Sequence, residues 1–315
     1  MSQHVFGAIL THFGTAANNR GLTEGNITTL QKLVWHGKVH TTVSAEAIRF
    51  ALRRLLDGAE DEGCNRKYDD VSRANTWQDD KFQGWADGKK VAGRKVIDDD
   101  LLGFMSAEGA AEEGGKGSTK VRRAVLEVTR AVSISPWPGD VTFNAASPGA
   151  TPSAQKKGIN PVPYGTEMHA TRYQYGFALT PSRLAVPGRA AHALNGLCGL
   201  GEVAGNHGRF LYDFSPESVL FRITDDPAPR ILYSFEALEG DEIGVLGLLR
   251  KVESGDIRPA ELVIGGAIVD QISKAGHAAI ANGKVTAKGI LAGALLFPGV
   301  KAACAAVCER VAGEK

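Results

Sequence analysis

The residues with the most chemistry to offer lie in Trp35–Leu56, WHGKVHTTVSAEAIRFALRRLL. Lys38–Val43 reads as a short extended piece that runs into a helix capped by Ser44, whose hydroxyl can accept from an amide two or three residues on. Ala45, Ile48, Leu52, Leu55 and Leu56 recur at helical spacing and predict one buried stripe. Glu46, Arg49 and Arg53 flank that stripe, the two arginines one turn apart, whereas Arg54 turns to the far side. A helix N-terminus favours anions, because its first amides lack partners and its dipole end is positive. Two guanidiniums beside that turn would complete a cradle for phosphate. The same pattern also fits a solvated amphipathic helix, and the segment alone does not choose between them.

Upstream, Thr15–Gly21 is a small polar turn in which Asn18, Asn19 and Arg20 can bring amides and a charge to a phosphate; an ordinary turn has the same composition. His12, His36, His40 and His169 are the candidates for general acid and base in a ribonuclease reading. No acidic pair, nucleophile constellation or metal-ligand spacing accompanies them, and a lone histidine in a strand is usually structural. Gly114–Thr119 imitates a phosphate-binding loop but fails, because Gly117 stands where a hydroxyl residue must follow the lysine.

The elements that must position these residues follow in order. Val5–His12 is apolar on both alternations and predicts a central strand covered on both faces. Asp57–Gly117 loses the large aliphatics and reads as an insertion. Its middle interleaves basic and aromatic residues: Arg66, Lys67, Tyr68, Arg73, Trp77, Lys81, Phe82, Trp85, Lys89, Lys90, Arg94 and Lys95. Such a mixture can hold a single strand by stacking and charge, or form a small core of its own. Val121–Ile134 predicts a strand with Leu126, Val128, Val132 and Ile134 on one face. Asn144–Gly165 holds Pro148, Pro152, Pro161 and Pro163 with Lys156 and Lys157, and predicts an exposed loop or hairpin arm. Glu167–Leu179 is a second long strand, whose His169, Thr171, Tyr173, Tyr175 and Phe177 share a face that is either core or a stacking platform. A helix from Arg189, strands at Val219–Ile223 and Ile231–Phe235, a helix over Asp241–Val252, an extended Glu261–Ile264 and a helical tail (267–315) complete the chain. Their order is that of an α+β, ferredoxin-like or RNA-recognition-motif-type palm, β-α-β-β-α-β, grown by two insertions.

The 315 residues are 43% hydrophobic and 23% charged with a net charge of +1, so nucleic acid must be met by local basic patches. Four cysteines without zinc spacing suggest a reducing compartment and no metal, and Cys64 and Cys198 stand alone. No cofactor is expected. The absence of a transmembrane-length apolar run or signal segment predicts a cytoplasmic protein.

The segments GAILTHFGTAANNRG, NITTLQKL, HTTVSAEAIRFALR and PYGTEMHATRYQYGFAL resemble the DevR autoregulator family of CRISPR-associated proteins, backbone subunits of type I-B Cascade complexes. The resemblance runs from His4 to about Gly266. It implies a hand-like protein: an RNA-binding palm, fingers at 57–117 and a thumb at 144–165. Copies polymerise along CRISPR RNA, each thumb displacing a nucleotide, and the spacer is presented to target DNA beside other Cascade subunits. By position, Asn18, Asn19, Arg20, Ser44, Arg49 and Arg53 match the RNA-cradling loop and helix, and Lys156, Lys157, Met168 and His169 extend the RNA-binding set. Glu46 would repel phosphate and is expected to orient Arg49 or Arg53 instead. No nuclease chemistry is implied. A DNA-binding regulator is the other rival, although no helix-turn-helix pattern is visible.

Overall fold

Val5 to Leu10 are apolar on both alternations, and in the structure both faces of their strand are covered. The computed structural model of the protein describes residues 2–17, 22–85, 95–108, 118–150, 155, 160–204 and 211–313. The first part of the chain forms β1 (His4–Thr11), β2 (Gly14–Ala16), β3 (Lys32–Trp35), β4 (Lys38–Val43) and α1 (Ala45–Leu56). The first insertion supplies β5 (Arg66–Asp69), β6 (Ala74–Trp77), α2 (Ile97–Leu102), β7 (Phe104–Glu108) and β8 (Ser118–Arg122). Next come β9 (Leu126–Val128), β10 (Ala131–Ser133), the arm strands β11 (Val141–Ala146) and β12 (Val162–Glu167), β13 (His169–Thr171) and β14 (Tyr173–Leu179). The chain continues through α3 (Arg189–Cys198), β15 (Pro216–Thr224), α4 (Leu246–Glu253), β16 (Leu262–Gly266), α5 (Ile268–Lys274), β17 (Leu295–Phe297) and α6 (Val300–Gly313).

The main sheet runs β17-β16-β15-β1-β14-β10-β4-β3, with β9 also pairing β14. On one face Val5 and Ile9 meet Ile48, Leu52 and Leu56 of α1, Ala193 and Leu197 of α3, and Val307 of α6. Tyr173, Tyr175 and Phe177 point into this same layer and are about 1% exposed or less. The aromatic stripe of β14 is therefore core rather than a stacking platform, each ring contributing about 1.5–3 kcal/mol through burial. Opposite, Phe6, Ala8 and Leu10 pack under Ile231, Phe235, Leu248 and Ile268. Gln174 fixes that cover to the sheet: its Nε2 donates to Phe235 O at 3.0 Å, and its Oε1 accepts from Phe235 N at 3.2 Å.

Four elements differ from the sequence pattern. The helix expected over Asp241–Val252 begins only at Leu246, after a short strand at Ile243–Gly244. The strand expected over Val121–Ile134 is broken twice: Val121 and Arg122 belong to β8 and pair with β7, and after β9 the run is interrupted again at Thr129 and Arg130. Val128 pairs with Phe177 but Val132 pairs with Gln174, so one extra residue bulges out. The bulge carries Ile134 to the opposite layer from Leu126 and Val128. Thr129 Oγ1 accepts from Gly176 N at 2.8 Å, giving the interrupted ladder a substitute acceptor. Ile231–Phe235 forms no strand; its buried Ile231 and Phe235 flank a turn at Leu232 and Tyr233. Between α5 and α6 the tail adds an Ala278–Ala281/Lys284–Ala287 hairpin and β17, which pairs parallel with β16. Among the described residues no helix is long and apolar enough to cross a membrane.

Candidate RNA-binding surface

The cap at the head of α1 is present: Ser44 is extended (φ −69, ψ 150) and its Oγ accepts from Ala47 N at 3.2 Å. The buried stripe comprises Ile48, Ala51, Leu52 and Leu56. Leu55 has the right angular position but is 48% exposed, because α3 ends at Cys198 and leaves it uncovered, although Leu56 in the same turn is 1% exposed. Leu55 instead lines an open groove with Ala47, Phe50 and Leu200.

Glu46 does orient an arginine, and it is Arg49: Nη2 donates to Oε1 at 3.0 Å. Hydrogen bonding to its own backbone amide, and then Arg49, hold the Glu46 carboxyl below its ordinary value. The helix thus presents its own carboxylate where an incoming phosphate would sit. Arg53 departs from the expected cradle. Its Nε donates to Asp98 Oδ2 at 3.0 Å, a carboxylate that is only 1% exposed, so this guanidinium ties α1 to the insertion.

Asp98 belongs to a buried run, Asp98-Asp99-Asp100, at the head of α2. Asp98 also accepts from Asn65 N at 2.7 Å and Arg66 N at 3.2 Å. Asp99 accepts from Asn65 Nδ2 at 2.9 Å; burial and the neighbouring Asp98 push its carboxyl up to about 7. Asp100 is held by Arg122, by Arg189 Nη1 at 3.0 Å and by Ala185 N at 3.0 Å. Arg189 in turn pairs with Glu60 at 2.7 Å. Asp98 reaches α1, Asp98 and Asp99 share Asn65 at the start of the β5–β6 hairpin, and Asp100 reaches β8 and α3, so this short helix joins all four.

The insertion's aromatics make a small core. Phe82 stacks on Phe104 at 3.8 Å between centroids, Trp77 meets Phe82 edge-on at 5.6 Å, and Arg122 lies over Trp85 at 4.1 Å. Arg66 and Lys95 cover Trp77 and Trp85 at 5.6 and 5.4 Å. Lys89, Lys90, Arg94 and the glycine-rich 109–117 lie outside the described residues, as do Asn18, Asn19, Arg20, Lys156 and Lys157.

At the foot of the arm, Met168 is half-buried and its carbonyl accepts from Trp137 Nε1 at 2.9 Å. The His169 ring points inward. Nδ1 lies 2.7 Å from Thr41 Oγ1 and Nε2 3.3 Å from Ser135 Oγ, so no ring nitrogen is offered to RNA. Burial, then the nearby His40, hold its pKa down at about 4. His40 is also interior, its Nδ1 2.7 Å from Ser133 O. Glu167, which no sequence pattern singles out, anchors the arm: it accepts from Leu30 N at 2.6 Å and from Lys32 Nζ at 2.7 Å. Beyond it, β11 and the first half of β12 alternate half-buried and exposed side chains, with Phe143 81% exposed. Across α3 and α6, Cys304 Sγ donates to Asn195 Oδ1 at 3.5 Å. No group of metal ligands forms among the described residues.

The architecture is shared with chains of CRISPR-guided assemblies. A chain of a "CRISPR RNA-guided surveillance complex" superposes over 98% of this chain and 99% of its own, with a TM-score of 0.56 at 14% identity. A chain of a "CRISPR RNA-guided surveillance complex, pre-nicking" does so over 98% and 100%, with a TM-score of 0.55 at 14% identity. In sequence, residues 9–225 match the family described as "CRISPR-associated negative auto-regulator DevR/Csa2". The "CRISPR-associated protein Cas7/Cst2/DevR" of Myxococcus xanthus (strain DK1622) is 64% identical over 312 residues, covering 99% of this chain and 98% of that protein. The chain belongs to the DevR family of CRISPR-associated proteins.

Proposed function

We propose that the protein is a non-catalytic, RNA-binding backbone subunit of a type I-B Cascade. Copies line up along one CRISPR RNA through phosphate contacts and leave the spacer bases free to pair with target DNA. The observation that carries this reading is that one chain of this family shares, along almost its whole length, the fold of chains from RNA-guided surveillance complexes. The geometry supports it in detail. The order β15-β1-β14-β9/β10, with α1 and α3 on one face, is that of a β-α-β-β-α-β palm. The β5–β8 insertion leaves that palm after α1 and takes the place of fingers, while the β11–β12 arm takes the place of a thumb. With the sheet covered on both faces, RNA is left to meet helix ends, loops and insertions. Arg49 at the exposed head of α1 supplies one phosphate contact.

One experiment separates this from a CRISPR RNA-processing ribonuclease and from a DNA-binding autoregulator. Purified protein is incubated with labelled single-stranded RNA and, separately, with the DNA upstream of its own gene. The expected result is RNA binding that ignores base sequence, with intact RNA and no preference for the upstream DNA. Cleaved RNA, or selective retention of that DNA, would replace the reading.

A further inference from the structure

The face of α1 opposite its buried stripe looks onto the β5–β6 hairpin. Between them is a small cleft lined by Phe50, Arg53, Arg54, Arg66, Tyr68 and Asn75, with Asp57 at its edge. Its volume of about 40 Å³ is enough for a few water molecules, hence for one tetrahedral anion and not for a base. The charges around it do not balance. Asp57 is paired with Lys67 at 3.0 Å and Asp98 with Arg53 at 3.0 Å, so both nearby carboxylates are taken. Arg66 donates through Nε to the neutral Asn75 Oδ1 at 3.0 Å, and Arg54 is exposed; among the described residues neither side chain has a carboxylate partner. Burial and then the adjacent Arg53 weigh against the Arg66 charge more than Asp98 supports it, and an anion in the cleft would relieve this. At the mouth Tyr68 is 40% exposed and meets Phe50 edge-on at 5.5 Å, leaving a ring for a neighbouring base.

We infer that this cleft binds one phosphodiester of a single-stranded nucleic acid, gripped by Arg54 and Arg66 from its two walls, while Arg53 remains a strut on Asp98. The inference rests on the RNA-binding reading above and adds a contact shared between the palm helix and the first insertion. Guanidiniums suit the task because their forked donors match phosphate oxygens.

Arginine footprinting with phenylglyoxal, read by peptide mass spectrometry, tests it on the intact chain. The probes are an oligouridine, an oligothymidine of equal length and inorganic diphosphate, and binding of each strand is followed separately by fluorescence anisotropy. The expected result is that bound oligouridine slows modification of Arg54 and Arg66 several-fold, while the surface Arg123 reacts as in the free protein. Equal protection by oligothymidine supports phosphate recognition without regard to sugar; protection by oligouridine alone supports RNA as the ligand. Arg54→Ala and Arg66→Gln should each weaken strand binding roughly tenfold, as for loss of a charge-assisted hydrogen bond. If oligouridine binds but Arg54 and Arg66 react at their free rates, the cleft is overturned and RNA binding elsewhere stands. If neither strand binds, the RNA-binding reading fails, and the diphosphate arm decides the cleft: protection retains an anion site and no protection removes it.

Discussion

Replacing Glu46 with glutamine should tighten RNA binding. The carboxylate lies 3.0 Å from Arg49 Nη2, so a phosphate on the far edge of the same guanidinium would come within about 6 Å of it. Glu46 is 67% exposed, which makes a water-like dielectric appropriate. Two unit charges at about 6 Å then repel by roughly 0.7 kcal/mol, or about threefold in affinity. Freeing the helix N-terminus from its own carboxylate adds about 0.3–1 kcal/mol for an incoming anion, bringing the expected gain to about five- to eighteenfold at low salt. At about 0.15 M salt the Debye length of about 8 Å screens a good part of this. The log–log salt slope should steepen by up to roughly 0.7, the signature of one more phosphate engaged. Fluorescence anisotropy against oligouridine across a salt series reads both quantities, with Arg49→Ala as the opposing control. Equal affinity and equal slope for the parent and Glu46→Gln would refute the idea that this carboxylate competes with phosphate.

Arg53→Ala, which the sequence pattern portrays as harmless to stability because alanine is the better helix former, should cost about 2–4 kcal/mol in denaturant unfolding. It leaves the buried Asp98 with two backbone donors and no cation; an unchanged midpoint would mean that Asp98 does not depend on Arg53. Trimming Ser147–Asn160 to a Gly-Ser link should leave the melting transition in place while weakening ordered packing on RNA, because Ser147–Ala150 are exposed and the Glu167–Lys32 anchor lies outside the cut; loss of folding would make the segment part of the core. Asp99 and His169 should oppose each other with pH. With its folded value near 7, above the unfolded one, Asp99 contributes stability that is full in acid and lost as pH rises towards 7; His169, near 4, costs stability as pH falls from about 6.5 to 4. Asp99→Asn should therefore steepen the loss of stability between about pH 6.5 and 4, and His169→Gln should reverse it; parallel profiles for parent and both variants would contradict the burial of these groups.

What could be read from the sequence was local or periodic. Ser44 and the Ile48–Leu52–Leu56 spacing announce the cap and stripe of α1, and the two apolar alternations of β1 announce a strand covered twice. The failures are long-range. Nothing near Thr129 shows that Gly176 N donates to it and that the strand bulges there. Leu55 reads as buried until α3 is seen to stop short. Asp98-Asp99-Asp100 reads as solvated surface, since aspartates are rarely buried without partners. Those partners, Arg53, Asn65 and Arg189, lie 45, 34 and 89 residues away. Of the site, Arg49 sits as expected on the flank of α1, Arg53 turns into the insertion, and His169 turns into the core. Arg54 turns to the far side from the stripe, as its spacing predicts, and there it lines the cleft.

The most direct test of the central claim is native mass spectrometry of the particle formed when the protein is expressed with its companion subunits and a CRISPR array. The expected particle is one RNA carrying several copies of this chain, with the number of copies rising in step as the spacer is lengthened. A single copy whatever the spacer length, or a monomer free of RNA, would contradict it.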